Sequence, residues 1–143
     1  IKPAVQALGQ LHLWQLDIKP GKPFAYGSVG KAHFIGLPGN PVSSFVTFLL
    51  LVRPFVLRLQ GAARLEAPRV AMRADFEWAR PDRRQEFLRV RRNAGDGLDL
   101  YPNQSSGVLT SVVWGDGLID NPGGTAIRRG DTVRFIPFAE LLA

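Results

Sequence analysis

The sequence predicts an α/β part followed by an all-β part, with the change near residues 60–68. Before that point, alternating strand patterns are mixed with one long apolar helix pattern. After it, short alternating segments are separated by Gly, Asn, Asp and Pro, which is typical of a small β-barrel or sandwich. The chain has 143 residues, of which 45% are hydrophobic, so it is long enough for one ordinary domain or two small ones.

The first part begins with a helix over Pro3–Leu8, and Gly9 is a favourable residue for the position after a helix. The segment Leu11–Ile18 alternates between apolar and polar residues and therefore predicts a strand. Two further strands, joined by a hairpin-like turn, are Phe24–Val29 and Ala32–Leu37. This order of elements indicates the last half of an α/β unit.

A long helix is predicted next. Asn40 is a preferred N-cap residue, and Pro41 fits the first turn, where its missing N–H costs nothing. The helix is expected to end at Gly61, with a kink or restart at Pro54. Its longest apolar run, Phe45–Val52, is too short to span a bilayer, which needs about 20 apolar residues. We therefore predict a buried helix and no membrane partner.

The second part contains five strand-like segments separated by turn residues. They are Arg69–Asp75, Glu86–Arg91, Leu98–Tyr101, Leu118–Asn121 and Thr132–Ile136. The pattern of Ser106–Val113 is ambiguous between helix and strand.

The formal net charge of +6 favours an anionic partner: nucleic acid, an acidic membrane surface or a small anion. Much of the excess lies in one arginine run: Arg80, Arg83, Arg84, Arg89, Arg91 and Arg92. Nucleic-acid surfaces usually interleave basic and aromatic residues, and only Trp78 and Phe87 are nearby, so we predict no nucleic acid. The absence of cysteine excludes disulfides and suits a cytoplasmic protein, and Ile1–Gln10 lacks the pattern of a secretory signal.

The arginine run is expected to be a solvated strand face, with Arg89 as the exception. Alternation along Glu86–Arg91 separates Phe87 and Arg89 from Leu88 and Val90. Periodicity leaves open which of the two sides faces a binding site.

The first motif is Ile18–Pro23, with the sequence IKPGKP. It follows a predicted strand, and its prolines and glycine hold Lys19 and Lys22 on a stiff loop at a strand end. Ligands bind at strand ends in α/β sheets. An ordinary solvated loop with two lysines is the alternative.

The second motif is Gly36–Pro41, with the sequence GLPGNP, followed by Ser43 and Ser44. A strand, a rigid turn and a helix N-terminus follow one another there. The first N–H groups of a helix are unpaired and favour an anion, and the serine hydroxyls are further donors. A capped helix without a ligand is the alternative.

Together, the two motifs closely resemble those of the molybdopterin molybdotransferases. These molybdenum insertases include the bacterial MoeA-type proteins, the plant insertase domain and the E domain of gephyrin. The resemblance continues in the second part and covers essentially the whole chain. The matching stretches there are Glu86–Arg89, Gln104–Gly107, Gly117–Ile119 and Gly130–Val133.

The resemblance implies that residues 1–62 are the C-terminal half of a three-layer α/β molybdopterin-binding domain and that residues 63–143 form a small C-terminal β-barrel domain. It implies an enzyme that takes adenylylated molybdopterin and molybdate and releases molybdenum cofactor and AMP. It also implies a divalent metal, for which we expect Mg²⁺, and a homodimer with its active site between the α/β domain of one subunit and the β domain of the other.

The resemblance also assigns roles to particular residues. Lys19 and Lys22 match functional lysines of the first motif, Arg89 matches an arginine of the β domain, and Ser106 matches the serine of a Gln-Gly-Ser motif. Together, the expected catalytic residues are Lys19, Lys22, Arg89 and Ser106. The expected oxyanion-binding residues are Pro38, Gly39, Asn40, Pro41 and Ser43. Lysine, arginine and serine suit multiply charged oxyanions, so the chemistry is expected to depend on positioning and electrostatics.

Several positions depart from the family pattern. Gln15 replaces a lysine that some bacterial members carry, and Ser105 replaces the glycine of the Gln-Gly-Ser motif. The family's acidic metal ligands are expected upstream, with none in this segment. Asp17 is explained equally well as a salt-bridge partner, and His12 and His33 as structural or surface residues.

Two other functions remain as alternatives. One is a protein-interaction or scaffold module of the gephyrin E-domain type, and the other, less favoured, is general polyanion binding. Because most of the nucleotide and metal side of the family's site is not in this sequence, the isolated chain is expected to show little or no turnover.

Overall fold

The computed structural model of the chain describes residues 1–142 and contains two β-sheets and five α-helices. The helices are α1 (Lys2–Leu8), α2 (Pro41–Thr47), α3 (Arg53–Leu59), α4 (Thr110–Trp114) and α5 (Phe138–Leu142). The strands of the first part are β1 (Gln10–Leu13), β2 (Ile18–Lys19), β3 (Ala25–Val29) and β4 (Ala32–Gly36). Those of the second part are β5 (Val70–Ala74), β6 (Gln85–Arg92), β7 (Gly97–Leu100), β8 (Gly117–Asn121) and β9 (Thr132–Pro137).

The smaller sheet is antiparallel and has the order β1–β3–β4. The predicted hairpin is confirmed: β3 and β4 pair from Ala25 opposite Gly36 to Val29 opposite Ala32. Gly9 ends α1 as predicted, but in extended rather than left-handed conformation, with φ of −168°. Glycine is required there because a Cβ atom would collide with the carbonyl oxygen of Ser28. The three-layer arrangement expected for residues 1–62 stays a prediction.

The single strand predicted over Leu11–Ile18 is wrong in its extent. The chain leaves the small sheet after Leu13, passes through an irregular stretch, and enters the large sheet as β2. There Ile18 and Lys19 pair in parallel with Gln85 and Glu86 of β6. A pattern of alternation cannot distinguish one strand from two short ones that join different sheets.

The long helix runs from Pro41 to Leu59 as α2, a π-helical turn over Phe48–Val52, and α3. The π-turn lies directly before Pro54, and the Arg53 amide bonds to the Phe48 carbonyl, five residues back. This change of register accommodates the proline, which has no N–H to donate. Gly61, just beyond the last helical residues, has a φ of +81° and terminates the helix. The Ala62 amide then donates to the Leu57 carbonyl, which is the pattern of a Schellman motif.

The run Pro41–Leu59 is long and apolar enough to cross a membrane by length and composition alone, although the core helix of a globular protein satisfies the same criterion. One face of it packs on the barrel. Val42, Val46 and Leu49 form a buried cluster with side chains of the barrel's outer surface, among them Phe87 and Ile136.

The large sheet closes into a five-stranded barrel in the order β6–β7–β5–β9–β8, with β8 pairing again with β6. Only the β5–β7 pair is parallel within this ring. The five predicted strands are therefore confirmed, and the fold is a barrel rather than a sandwich. The ambiguous segment Ser106–Val113 is a loop that leads into the short helix α4.

The barrel encloses its own core, which includes Leu88, Val90, Leu98, Ile119 and Phe135. Leu88 and Val90 point inward, whereas Phe87 belongs to the outer cluster beneath the helix. The predicted alternation along β6 is thus confirmed. It places Arg89 on the outer face of the barrel, on the same side as Phe87.

Candidate oxyanion-binding site

The loop that carries Lys19 and Lys22 is fixed at both of its ends. Lys19 lies in β2 and pairs with Glu86, and the carbonyl oxygen of Lys22 accepts hydrogen bonds from the amides of Leu16 (2.8 Å) and Phe24 (2.9 Å). Between them Gly21 has a φ of +126°, and a Cβ atom there would collide with the Thr47 side chain of α2. The loop therefore lies directly against the long helix.

The start of α2 is joined to the barrel by Ser106. Asn40 occupies the N-cap position but makes no capping bond with its side chain. Instead, its Nδ2 donates to the hydroxyl oxygen of Ser106 over 3.1 Å. The carbonyl of Ser106 accepts from the Val42 amide over 3.2 Å, so one of the helix donors expected to be free is already satisfied.

These two contacts help to close a cavity of about 210 Å³ between the lysine loop, the helix start and the barrel. Five predicted site residues line it: Lys19, Lys22, Asn40, Ser43 and Ser106. Ser43 is buried, and its hydroxyl makes no hydrogen bond to another described residue. The structure thus brings together residues that are more than 80 positions apart in the chain.

Arg89 lines a second cavity, of about 200 Å³, which shares Lys19, Pro20 and Gln104 with the first. Its guanidinium donates to the hydroxyl of Ser111 (3.1 Å) and to the carbonyls of Phe87 (3.1 Å) and Ser105 (3.3 Å). Burial lowers the pKa of Arg89 to about 10, which still leaves the group protonated at neutral pH.

Gln104 lines both cavities and bonds to the backbone of β6 at Arg89. Along the edge of β6 opposite β8, β2 pairs with residues 85–86 and β7 with residues 90–92, so a gap remains at Arg89. Gln104 fills it, accepting from the Arg89 amide (2.9 Å) and donating to the Arg89 carbonyl (3.0 Å). Gln104 was not among the site residues predicted from the sequence, although it precedes the Ser105-Ser106 pair of the matched motif.

One carboxylate, Asp82, lies among the cations of the first cavity. It is 3.7 Å from Nζ of Lys19 and forms a closer ion pair with Arg84, whose Nε is 3.0 Å away. These hydrogen bonds to Arg84 hold the pKa of Asp82 well below its ordinary range, so it is negatively charged at neutral pH.

Arg84 itself lines the first cavity. The expectation that it belongs to a solvated face is therefore wrong, because Asp82 holds it against the barrel. Other arginines of the run do lie outward: Arg83 pairs with the exposed Asp17, which supports the salt-bridge explanation of Asp17, and Arg91 stacks on Trp114.

Pro38, Gly39 and Pro41 do not line either cavity. They form the turn that leads into α2, so they can position the start of the helix without contacting a ligand in either cavity. Their predicted role in oxyanion binding stays a prediction. His12 and His33 are exposed and flank Tyr26 on the small sheet, where Nδ1 of His33 is 3.0 Å from the Tyr26 hydroxyl. They lie outside the residues that line the two cavities.

Known proteins resemble this chain in both of its parts. Residues 71–138 match the model of the MoeA C-terminal region, domain IV. A molybdopterin molybdenumtransferase of Haemophilus influenzae is 49% identical over 67 residues, which cover 47% of this chain and 17% of that protein. The chain resembles the C-terminal portion of the MoeA-type molybdopterin molybdenumtransferases.

A second relative carries the similarity into the first part. The molybdenum cofactor synthesis protein cinnamon of Drosophila melanogaster is 39% identical over 127 residues, covering 83% of this chain and 20% of that protein. The similarity to MoeA-type proteins is therefore not confined to the barrel. The chain spans about a fifth of the length of these two relatives.

Solved structures show the same fold. A molybdopterin biosynthesis MoeA protein from Pyrococcus horikoshii superposes with a TM-score of 0.79 at 28% identity, covering 96% of this chain and 34% of that one. A molybdenum cofactor biosynthesis protein from Pyrococcus furiosus gives a TM-score of 0.76 at 25% identity, covering 90% and 46%. The arrangement of helix, small sheet and barrel is thus shared with MoeA-type structures.

Proposed function

We propose that this chain supplies the oxyanion-binding part of a molybdopterin molybdotransferase. The substrates would be molybdate and adenylylated molybdopterin, and the products molybdenum cofactor and AMP. The observation that carries the proposal is the single cavity lined by Lys19, Lys22, Asn40, Ser43 and Ser106. Similarity to MoeA-type proteins supports the choice of substrates.

The cavity suits a small tetrahedral oxyanion. Two lysines supply positive charge, and a serine hydroxyl and an amide supply short donors at fixed positions. Asn40 and Ser106 are held by their mutual hydrogen bond, so the donors need little reorganisation when an anion enters. Preorganised donors and charges of this kind stabilise the negative charge that develops on an oxyanion in the transition state. Lys19 and Lys22 would bind and orient molybdate, while Arg89 provides positive charge at the adjoining cavity.

The residues present do not fit the expected Mg²⁺. Within residues 1–142, no group of three or more His, Asp or Glu side chains is placed to hold a metal ion. We therefore assign no step to a metal on this chain. We expect the chain alone to bind oxyanions without completing the transfer, and a homodimer and a cytoplasmic location remain part of the proposal.

Calorimetric titration of molybdate into the chain tests the proposal. We expect saturable binding that tungstate displaces, with a loss of about tenfold or more in Lys19→Ala, because a hydrogen bond to a charged group contributes about 1.5–3 kcal/mol. Lys31→Ala is the matched control, since Lys31 lies in the exposed turn between β3 and β4. Absence of binding, or equal losses in the two variants, would contradict the proposal.

A scaffold or interaction module is the second candidate. A protein named gephyrin from Dictyostelium discoideum is 31% identical over 77 residues, covering 43% of this chain and 11% of that protein. The helical run also exposes Phe48, Val56 and Leu59. If this face contacts another chain, Phe48→Ser should change the molar mass measured by light scattering without changing molybdate affinity.

A further inference from the structure

Arg84 is the one cation of the first cavity that neither motif contains. Its side chain is 23% exposed, and it lines the cavity together with Lys19 and Lys22. Arg84 belongs to a different element from the two lysines, because it lies at the end of the loop that precedes β6. The cavity is thus bounded by cations on two sides.

The orientation of Arg84 is fixed by Asp82. Oδ1 of Asp82 accepts from the Arg84 amide (2.9 Å) and from Nε (3.0 Å), and Oδ2 accepts from Nη2 (3.2 Å). One edge of the guanidinium is therefore bound in bidentate fashion. Nη1 has no hydrogen-bond partner within residues 1–142, so donors remain available for a ligand.

The loop itself is anchored on the barrel. Glu86 is 98% buried, and its Oε1 accepts from the Asp82 amide (3.0 Å) and from Nε1 of Trp78 (2.9 Å). The Asp82 carbonyl accepts from the Gly124 amide over 2.8 Å. Because both its loop and its side chain are held, Arg84 would lose little conformational entropy when it binds an anion.

The charges of the cavity are unequal. Lys19, Lys22 and Arg84 line the cavity, whereas no carboxylate among residues 1–142 does. Asp82 pairs with Arg84 and Lys19 from outside the lining, and Asp17 and Glu86 act on Arg84 only through their charge. An oxyanion inside the cavity would therefore meet cations on its walls and no carboxylate. Arginine also presents a planar fork that matches two oxygens of a tetrahedral anion.

We infer that Arg84 is a further oxyanion-binding residue of this cavity and that Asp82 orients its guanidinium. The inference rests on the proposed function, since it concerns the same cavity. It names the class of ligand that Arg84 contacts: a tetrahedral dianion such as molybdate, bound jointly with the two motif lysines.

The test is calorimetric titration of molybdate into the chain and three variants. Arg84→Gln removes the charge and the fork, Arg84→Lys keeps the charge alone, and Arg83→Gln removes an equal charge from a neighbour that lies in neither cavity. We expect Arg84→Gln to weaken binding about tenfold or more and Arg84→Lys to weaken it less. Arg83→Gln should weaken it less than about threefold, since its charge is solvent-screened.

The outcomes separate the two proposals. If Lys19→Ala abolishes binding while Arg84→Gln behaves like Arg83→Gln, the inference about Arg84 is wrong and the proposed function stands. If the unmodified chain does not bind molybdate, both fall. Should Arg84→Gln unfold, as judged by circular dichroism, the comparison of Arg84→Lys with Arg83→Gln decides, and equal affinities would overturn the inference.

Discussion

Nε of Arg89 donates to the hydroxyl oxygen of Ser111 over 3.1 Å, and both side chains are fully buried. No carboxylate pairs with Arg89 among residues 1–142; its other acceptors are the carbonyls of Phe87 and Ser105. A buried cation held only by neutral groups is expensive for a fold. Such a group is expected where charge serves binding rather than stability.

The first prediction follows from that cost. Because burial lowers the pKa of Arg89 from its ordinary value to about 10, the charged form opposes folding at neutral pH by roughly 3 kcal/mol. Its three hydrogen bonds to neutral acceptors offset this cost. We expect Arg89→Met, which conserves length, to change the free energy of unfolding by less than about 1 kcal/mol, as measured by urea denaturation.

Arg89→Ala is the comparison for this prediction. It leaves a cavity and should cost about 2–4 kcal/mol. Both variants should bind molybdate more weakly than the unmodified chain. A loss of stability in Arg89→Met as large as that in Arg89→Ala would show that Arg89 is a structural residue and would contradict the prediction.

The second prediction concerns Gln104, which replaces a strand partner for Arg89. Gln104→Ala would leave the Arg89 amide unpaired, while the Arg89 carbonyl keeps the Tyr101 amide at 3.1 Å. Leaving one buried donor unpaired costs about 1–3 kcal/mol, so we expect a loss of that size in urea denaturation. Gln60→Ala, at the exposed end of α3, should stay within about 0.5 kcal/mol of the unmodified chain.

Gln104→Glu distinguishes pairing from space filling. The carboxylate still accepts from the Arg89 amide but cannot donate to the carbonyls of Arg89 and Tyr101, so we expect it to restore stability only in part. Full restoration would mean that the hydrogen bonds from Nε2 to the carbonyls of Arg89 (3.0 Å) and Tyr101 (2.8 Å) contribute nothing.

The sequence predicted the barrel strands well because alternation is local. Glu86–Arg91 became β6 over Gln85–Arg92, and Thr132–Ile136 became β9 over Thr132–Pro137. Closure of the ring and the entry of β2 could not be predicted in this way. They depend on pairing between residues far apart in the chain, such as Ile18 with Gln85, which leaves no periodic signal.

The candidate site shows the same division. Lys19 and Lys22 were recognisable because their motif is contiguous. Arg89 was assigned from the family resemblance, because alternation left open which side of the strand faces a site. Arg84 was missed since nothing in the local pattern distinguishes it from Arg83. The difference arises only in three dimensions, where Asp82 holds one arginine against the cavity and the exposed Asp17 pairs with the other.

The third prediction separates a small-anion site from a polyanion surface. The arginine run is dispersed: Arg89 is buried, Arg84 pairs with Asp82, and Arg92 lies over the ring of Phe135. We therefore expect no saturable binding of a single-stranded oligonucleotide at about 150 mM salt, measured by fluorescence anisotropy. Molybdate binding at the same salt should persist, and sulfate should compete with it.

If the oligonucleotide does bind, the salt dependence of its affinity shows which kind of surface is responsible. Oligonucleotide binding with a steep dependence on salt, and competition by any polyanion, would indicate a broad basic surface. In that case Arg83→Gln, which removes an exposed charge, should weaken binding as much as Lys19→Ala does.

The fourth prediction is a pH dependence centred on Asp75. Its carboxylate accepts from Nε (2.7 Å) and Nη2 (3.1 Å) of Arg73 and from Nδ2 of Asn93 (2.8 Å). These bonds lower the pKa of Asp75 from 3.8 to about 2. Because the folded pKa is the lower one, the contribution to stability is complete above pH 3.8 and is lost as the pH falls towards about 2.

Thermal unfolding of the unmodified chain and Asp75→Asn from neutral to acidic pH measures this contribution. We expect the unmodified chain to have the higher Tm at neutral pH, and the difference to shrink as the pH falls from about 4 to about 2. Glu77→Gln is the control, because Glu77 is exposed and makes no ion pair within residues 1–142, so its Tm difference should stay small throughout. A Tm difference for Asp75→Asn that is constant over this range would mean that the interactions of Asp75 with Arg73 and Asn93 do not depend on its charge.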